Sequence, residues 1–326
     1  MGKITLWLIT LLALAAEVPT AAAQEKLRLA WAGFSPTNSP IWVIGDRKLL
    51  QKQGVDPEII AINASPTVLQ ALLANEIEAA SISVTTLTSS RLQGADTVMF
   101  FGVVPTFIDH IVSVSNITHV DQLKGKTGGV NRLGSTSDLG LRLALRKLGV
   151  EPDKDVKMIP VGGNAERFAA LSKGLIQFTI MAEPFLTQAE RLGFRNLYNI
   201  NDLKIPFWWN AMLSRESIIK SKRPLMLKLT RAMIEAIHIL KTEKEYSKGI
   251  FKKVLGVSDP EGLERAYKEY AAAFPEVPYP TPDGVKTMLD DLRTPKATAA
   301  DPKTFVDMSL VQEVDKSGFI KQLYKR

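Results

Sequence analysis

The chain has 326 residues, 45% of them hydrophobic, which is enough to fill one or two packed cores and excludes a disordered chain. With no cysteine it can have no disulfide, thiolate metal site, cysteine nucleophile or lipid-modified cysteine behind a leader. Lys and Arg number 41 against 34 Asp and Glu; the dispersed net charge of +7 favours small anionic partners and argues against a nucleic-acid patch.

The first stretch, Met1–Ala23, reads as a secretory signal. Lys3 precedes an apolar run, Ile4–Ala16, and Ala21-Ala-Ala23 offers a small-residue cleavage site. The run is shorter than the roughly 20 residues that span a bilayer, and no later stretch is long and apolar enough. Lys26–Trp31 alternates as a strand does and enters a turn-rich loop, Ala32-Gly-Phe-Ser-Pro-Thr-Asn-Ser-Pro40. A helix is expected over Ile41–Gln53, ended by Gly54, and a strand over Glu58–Ile62. Ser65-Pro66 starts the next helix, with Val68, Leu69, Leu72 and Leu73 on its buried face. A strand at Ala79–Ser83, a helix near Thr86–Gln93 and a strand at Val98–Val104 follow. Such alternation points to α/β layers around largely parallel sheets.

Lys124–Gly149 holds a compact strand, turn and helix. Thr127–Val130 is the strand, Asn131–Gly134 the turn, and Ser135, Thr136, Ser137 and Asp138 bear the side-chain oxygens that cap helix starts. Leu141, Leu145 and Leu148 mark the buried face and Gly149 the end. A helix start of this kind presents unpaired N–H groups at the positive end of a dipole, a general anion-binding device. The alternative, a capped helix that binds nothing, is weakened because the chain repeats the arrangement. Leu50–Pro57 is answered by Leu145–Pro152, Ser65–Gly94 by Asn164–Gly193 without gaps, and Ser35–Asn38 by Gly134–Ser137. Two similar lobes are expected, crossed at Val104–His110 and at Ile205–Leu213. After Ser221 the chain turns helical, with a long helix over Pro224–Leu240 and shorter ones near Glu261–Phe274, Pro282–Leu292 and Ser309–Leu323.

These features resemble the periplasmic substrate-binding proteins of ABC importers, in the branch that binds nitrate, sulfonates, taurine and thiamine precursors. The resemblance spans the chain after Ala23. It is carried by the signal, Leu27–Ser39, Ser65–Ser83, Asp121-Gln-Leu-Lys-Gly-Lys126 followed by Gly-Val-Asn-Arg-Leu-Gly-Ser-Thr, and Pro224–Leu240. It implies a two-lobed type II fold, each lobe a mostly parallel sheet flanked by helices. Residues 24–106 with 211–326 would form one lobe, residues 107–210 the other, and two crossings would join them.

By position, the resemblance brings to the ligand Ser35, Thr37 and Asn38 in the first loop, Ser65, Ser83 and Val84. Gly134, Ser135, Thr136, Asn164 and Glu183 would come from the second lobe. Glu183 reads either as a partner for an N–H or cation on the ligand, or as a surface carboxylate beside Pro184. One of Trp208 and Trp209 is expected at the ligand, the other in the lobe junction, since alternate strand residues face opposite ways. Trp31 reads as core and Trp42 as either core or cleft rim. The synthase relatives' cysteine-rich motif is absent, and the 3 histidines are scattered, so neither catalytic residues nor a metal site or cofactor is expected.

The function implied is a periplasmic solute-binding subunit, not an enzyme and most simply a monomer without a lipid anchor. It would capture a small organic anion, a sulfonate or carboxylate with aromatic ones included, by hinge closure and pass it to an inner-membrane permease. A lyase-like enzyme of the same fold and a ligand-sensing subunit of a membrane receptor are the rival readings.

Overall fold

The computed structural model describes residues 25–62 and 65–325. The leader expected over Met1–Ala23 lies outside them. Ten strands are described: β1 Glu25–Ala32, β2 Val55–Ile62, β3 Ala79–Ser83, β4 Thr97–Val104, β5 His110–Ser113, β6 Thr127–Val130, β7 Lys157–Pro160, β8 Phe178–Met181, β9 Arg195–Asn199 and β10 Asn210–Arg215. The helices are α1 Ser39–Asp46, α2 Ser65–Leu73, α3 Val84–Leu92, α4 Thr136–Lys147, α5 Asn164–Ser172, α6 Phe185–Arg191, α7 Glu216–Ser221, α8 Arg223–Thr242, α9 Lys244–Leu255, α10 Pro260–Ala273, α11 Asp283–Leu292, α12 Pro295–Ala299, α13 Ser309–Lys316 and α14 Phe319–Leu323.

The strands form two five-stranded sheets of the same design, ordered β2-β1-β3-β10-β4 and β7-β6-β8-β5-β9. In each, the first three strands are parallel, and the fourth runs against both of its neighbours. That fourth strand is the exchanged one. β5 leaves the first lobe to complete the second sheet, and β10 returns to complete the first. The fold is therefore two-lobed, with mostly parallel sheets flanked by helices.

The expected repeat holds at the level of backbone conformation. α2 and α5 begin at the aligned residues Ser65 and Asn164 and have 9 residues each. The turns behind them place Asn75 (φ 58°) opposite Gly174 (φ 67°), and Gly94 (φ 96°) opposite Gly193 (φ 83°). Left-handed residues at matching places are what an αL helix end requires.

Two expected helices differ in extent from the sequence expectation, and one helix was not expected. The helix expected to reach Gln53 ends at Asp46, where Lys48 turns left-handed (φ 55°) and lets Leu49 and Leu50 enter the core. The expected helix Ser309–Leu323 breaks at Gly318 (φ 78°). α9 had no expectation at all; its start has no side-chain cap, and its buried face is only Ser247, Ile250 and Phe251.

β4 lies at the edge of its sheet yet is buried along its whole length. The C-terminal segments cover it: Gly102 N donates to the Pro278 carbonyl at 3.0 Å and Asp307 N to that of Met99 at 2.9 Å. This capped edge offers no ladder to another chain. Trp208 fills a slot between Gly102 and Gly284, and its Nε1 donates to the Thr281 carbonyl at 2.8 Å. A methyl group at Gly102 would overlap the indole ring. Gly102→Ala is expected to lower stability by about 1–3 kcal/mol through overpacking, measured by urea unfolding; an unchanged midpoint would show that Trp208 can move aside.

A buried polar group sits at the first crossing. Asp109 is 1% exposed, and neither carboxylate oxygen has a hydrogen-bond partner. Burial pushes its pKa up to about 7, against the pull of the Arg167 charge and with the push of Glu269. An acid with a raised pKa in the fold contributes stability in full below its ordinary value of 3.8 and loses it as pH rises to about 7. Asp109→Asn removes this titration. Between pH 4 and 7 the wild type is expected to lose up to about 4 kcal/mol relative to the variant. Chemical unfolding of both across that range is the check, and parallel curves would refute it.

Candidate functional site

Parallel strands that all end at one edge deliver their following loops to the same place, and ligands of open α/β sheets bind there. Here two such edges face each other across a cleft of about 240 Å³. From the first lobe it is lined by the loop after β1, the start of α2 and the turn from β3 into α3. From the second it is lined by Asn131–Ser137, at the start of α4, and by Gly163, Asn164 and Arg167 of α5. Four helix N-termini thus converge on one space, each with the positive end of a dipole.

The loops are held by their own side chains. Asn38 Nδ2 donates to the carbonyls of Ala32 (2.9 Å) and Gly33 (2.8 Å), and its Oδ1 accepts from Ser81 Oγ (2.7 Å) and Asn210 Nδ2 (3.0 Å). This buried network ties the first loop to β3 and to the second crossing. Across the cleft, Ser137 Oγ accepts from Asn131 N (2.9 Å) and Asp138 Oδ2 from Gly134 N (2.7 Å). Ser135 Oγ caps α4 by accepting from Asp138 N at 3.4 Å. The lobes touch where the hydroxyls of Ser83 and Thr136 hydrogen-bond to each other.

Of the expected site residues, Ser35, Thr37, Ser65, Ser83, Gly134, Ser135, Thr136, Asn164 and Trp209 line this cleft. Four others sit elsewhere. Asn38 is buried beneath the loop it anchors, and Val84 is buried in the first-lobe core. Trp208 occupies the Gly102–Gly284 slot, so of the two tryptophans it is Trp209 that reaches the cleft. Its ring lies 6.2 Å from Phe107 and 6.3 Å from Phe207, which stack on each other at 4.2 Å. Glu183 faces away, 2.6 Å from Arg265 Nε, and Thr187 donates to it through N (3.2 Å) and Oγ1 (2.7 Å). It is not among the residues that line the cleft, and it is not a surface carboxylate. Burial raises its pKa, while Thr187 and Arg265 act the other way. Trp42 is core, edge-on to Trp31 at 5.8 Å.

The sequence reading missed Arg167. Arg167 lines the cleft while being only 3% exposed. Nε donates to the Ile180 carbonyl (3.2 Å), Nη1 to that of Gly162 (2.9 Å) and Nη2 to Asn164 Oδ1 (2.7 Å). Of its five N–H donors, three are thus engaged by neutral oxygens and two are left. Among the described residues no carboxylate forms an ion pair with it; burial lowers its pKa, while the charges of Asp109 and Glu166 act the other way. Arg132 is the other cation of the lining, which includes no Asp or Glu. The ungapped repeat had a signal for this residue: Arg167 falls opposite Val68, which is fully buried. A charged residue at a core-facing helix position calls for an explanation. Among the described residues no group of three or more His, Asp or Glu side chains is placed to hold a metal ion, and no helix is long and apolar enough to cross a membrane.

Residues 108–254 match the model of the NMT1-like family. The chain is 22% identical to YtlA of Bacillus subtilis (strain 168), described as a binding protein, over 75% of each chain. Among solved structures it superposes on the ligand-binding component of an ABC-type import system from Staphylococcus aureus, solved with zinc bound (TM-score 0.72, 19% identity, covering 89% of this chain and 99% of that one). It also superposes on the periplasmic aliphatic sulphonate binding protein SsuA from Escherichia coli (TM-score 0.71, 20% identity, 87% and 92% covered). The fold is not confined to binding proteins, since the desulfurization enzyme DSZB shares it (TM-score 0.67, 13% identity, 90% and 99% covered). The chain has the fold of the two-lobed periplasmic binding proteins, with residues 108–254 matching the NMT1-like family.

Proposed function

We propose that the protein is the solute-binding subunit of an ABC importer and captures a small organic anion, a sulfonate or carboxylate, in the cleft. The observation that carries this is Arg167, a buried guanidinium in a cleft onto which four helix N-termini converge, which feels the charges of Asp109 and Glu166 but forms no ion pair among the described residues. Burial pushes the pKa of Asp109 up to about 7, which weakens that carboxyl as a counter-charge, and an anionic ligand head would give Arg167 a charge-assisted hydrogen bond. The import component from Staphylococcus aureus and the sulphonate-binding protein from Escherichia coli, which share the fold, support the same reading. Export by the leader, residence in the periplasm as a monomer, and delivery to an inner-membrane permease belong to the proposal. So do lobes of residues 24–106 with 211–326 and of residues 107–210.

Capture works by hinge closure. An anion held by Arg167 and the α4 start on one side, and by the loop after β1 and the starts of α2 and α3 on the other, makes its full set of contacts only when both lobes surround it. The closed form gains by that difference in contact free energy. Turnover is not part of the proposal: hydroxyls and amides surround the ligand, and no acid–base pair lines the cleft.

A thermal-shift screen of refolded protein against short sulfonates, carboxylates and nitrate should give a raised midpoint with at least one anion class. Arg167→Met keeps the length of the side chain and removes its charge. It is expected to cost about 1.5–3 kcal/mol of binding, a ten- to hundredfold rise in Kd, with an unchanged far-UV spectrum. Ser135→Leu, which puts bulk into the cleft, should abolish binding while costing the fold only about 1 kcal/mol of lost cap. Normal binding by both variants would remove the anion from this cleft.

A further inference from the structure

We propose that an anion entering the cleft takes over from Asp109 as the counter-charge of Arg167, so that the Asp109 carboxyl picks up a proton from solvent as the anion is captured. This rests on the anion-capture reading and adds its regulation by pH. The two side chains are brought together by the second sheet. Arg167 Nε donates to the Ile180 carbonyl in β8, and β8 pairs with β5 so that Ile180 lies opposite Ile111 and Met181 opposite His110. Asp109 is the residue that leads into that ladder, at the first crossing. Its backbone is fixed there, since its carbonyl accepts from Ile200 N at 3.1 Å. Both side chains are buried, and the charge of each acts on the other although no ion pair joins them.

With the cleft empty, the Arg167 charge favours an ionised Asp109. A second anion on the same guanidinium would set two negative charges close together in a buried place, and like charge raises a carboxyl's pKa. Protonating Asp109 relieves that repulsion, and by linkage a protonated Asp109 makes the site bind its anion more tightly. The other groups that act on Asp109 come from two elements. From α10 comes Glu269, whose Oε1 lies 3.8 Å from His110 Nε2. His110 itself starts β5; burial lowers its pKa, but Glu269 outweighs that and leaves it above the ordinary 6.5. It is therefore the rival site for the proton. Tyr270, also on α10, is held neutral because burial pushes its phenol well above the ordinary range. Glu166, the other carboxylate acting on Arg167, is exposed and screened by water. With its carboxyl pushed up to about 7, Asp109 is poised to change charge at neutral pH.

The test is calorimetric titration with methanesulfonate, benzenesulfonate, benzoate and nitrate, all of them ionised throughout the range used. The buffers are bis-Tris, imidazole and Tris, which are cationic and differ in ionisation heat, so that the slope of binding heat against ionisation heat counts protons. The wild type is expected to take up about 0.2–0.5 proton per bound anion at pH 7, and its Kd to rise about three- to tenfold between pH 6 and pH 8. In Asp109→Asn the uptake should fall below about 0.1 proton and the Kd should stay within about twofold over the same range. His110→Gln should keep the wild-type uptake. Binding by the wild type with heats independent of buffer would overturn the inference and leave anion capture standing, and that measurement needs no variant to fold. Uptake that survives in Asp109→Asn, or that is lost in His110→Gln, would move the proton elsewhere, against the proposal. A folded Asp109→Asn that binds none of the anions would make Asp109 part of the site's own framework, also against it. If none of the four anions binds the wild type at any pH, the anion-capture reading fails and takes this inference with it.

Discussion

Each sheet is completed by a strand from the far side of the lobe junction, and everything at the cleft follows from that exchange. β10 lies between β3 and β4, and β5 between β8 and β9, so neither sheet closes its ladder until the chain has crossed. The crossings leave side by side. Trp209 N donates to the Val104 carbonyl at 2.9 Å, Asn210 pairs with Val104, and Phe107 of one crossing stacks on Phe207 of the other. Two adjacent extended segments are the place where bending costs least, because the hydrogen bonds of both sheets survive it. Gly140 of α4 lets the second lobe sit close against this junction, since a Cβ there would come within 2.7 Å of the Phe107 ring.

The same exchange sets which groups are free to meet a ligand. The hydroxyls that look most available in the loops are already engaged: Ser135 and Ser137 brace the turn before α4, and Ser83 and Thr136 hold each other across the cleft. Asn38 and Asn210 spend their amides on the first loop and the second crossing. In the proposed capture, recognition of charge therefore falls to backbone N–H groups at helix starts and to Arg167. The Arg167 guanidinium is hydrogen-bonded only to neutral oxygens, and the charges that act on it from Asp109 and Glu166 form no ion pair with it; burial strengthens electrostatic interactions at such a site.

Not all buried charge near the cleft serves it. Glu183 is matched by Arg265, and that pair joins α6 to α10, tying the second lobe to the helical layer beside the first. Arg265 also meets Glu190, and Arg191 meets Asp259 and Glu261. These ion pairs span the two lobes beside the cleft. They are partly exposed, so each adds little and together they respond to salt. Arg167 differs by lacking any such mate.

Much of the architecture was legible in the chain because it rests on local rules. Strand and helix order, the helix starts at Ser65 and Ser135, the left-handed ends at Gly94 and Gly149, and the ungapped repeat all follow from caps, turns and periodicity. Of the cleft lining, the helix start at Gly134–Thr136 was legible from its caps, while Ser35, Ser65, Ser83 and Asn164 came from the resemblance to substrate-binding proteins. α9 was hidden because it has no capping side chain and a short buried face. The split between Trp208 and Trp209 was undecidable from alternation alone, which says that two neighbours point apart but not which way the core lies. The sequence by itself determined two lobes with hydroxyl-rich helix starts facing a common space. Only the tertiary structure decided that Glu183 turns away to Arg265 and that Arg167 turns in, because a side chain's partner depends on what the other elements bring to within hydrogen-bonding reach, and those elements are far away in the chain.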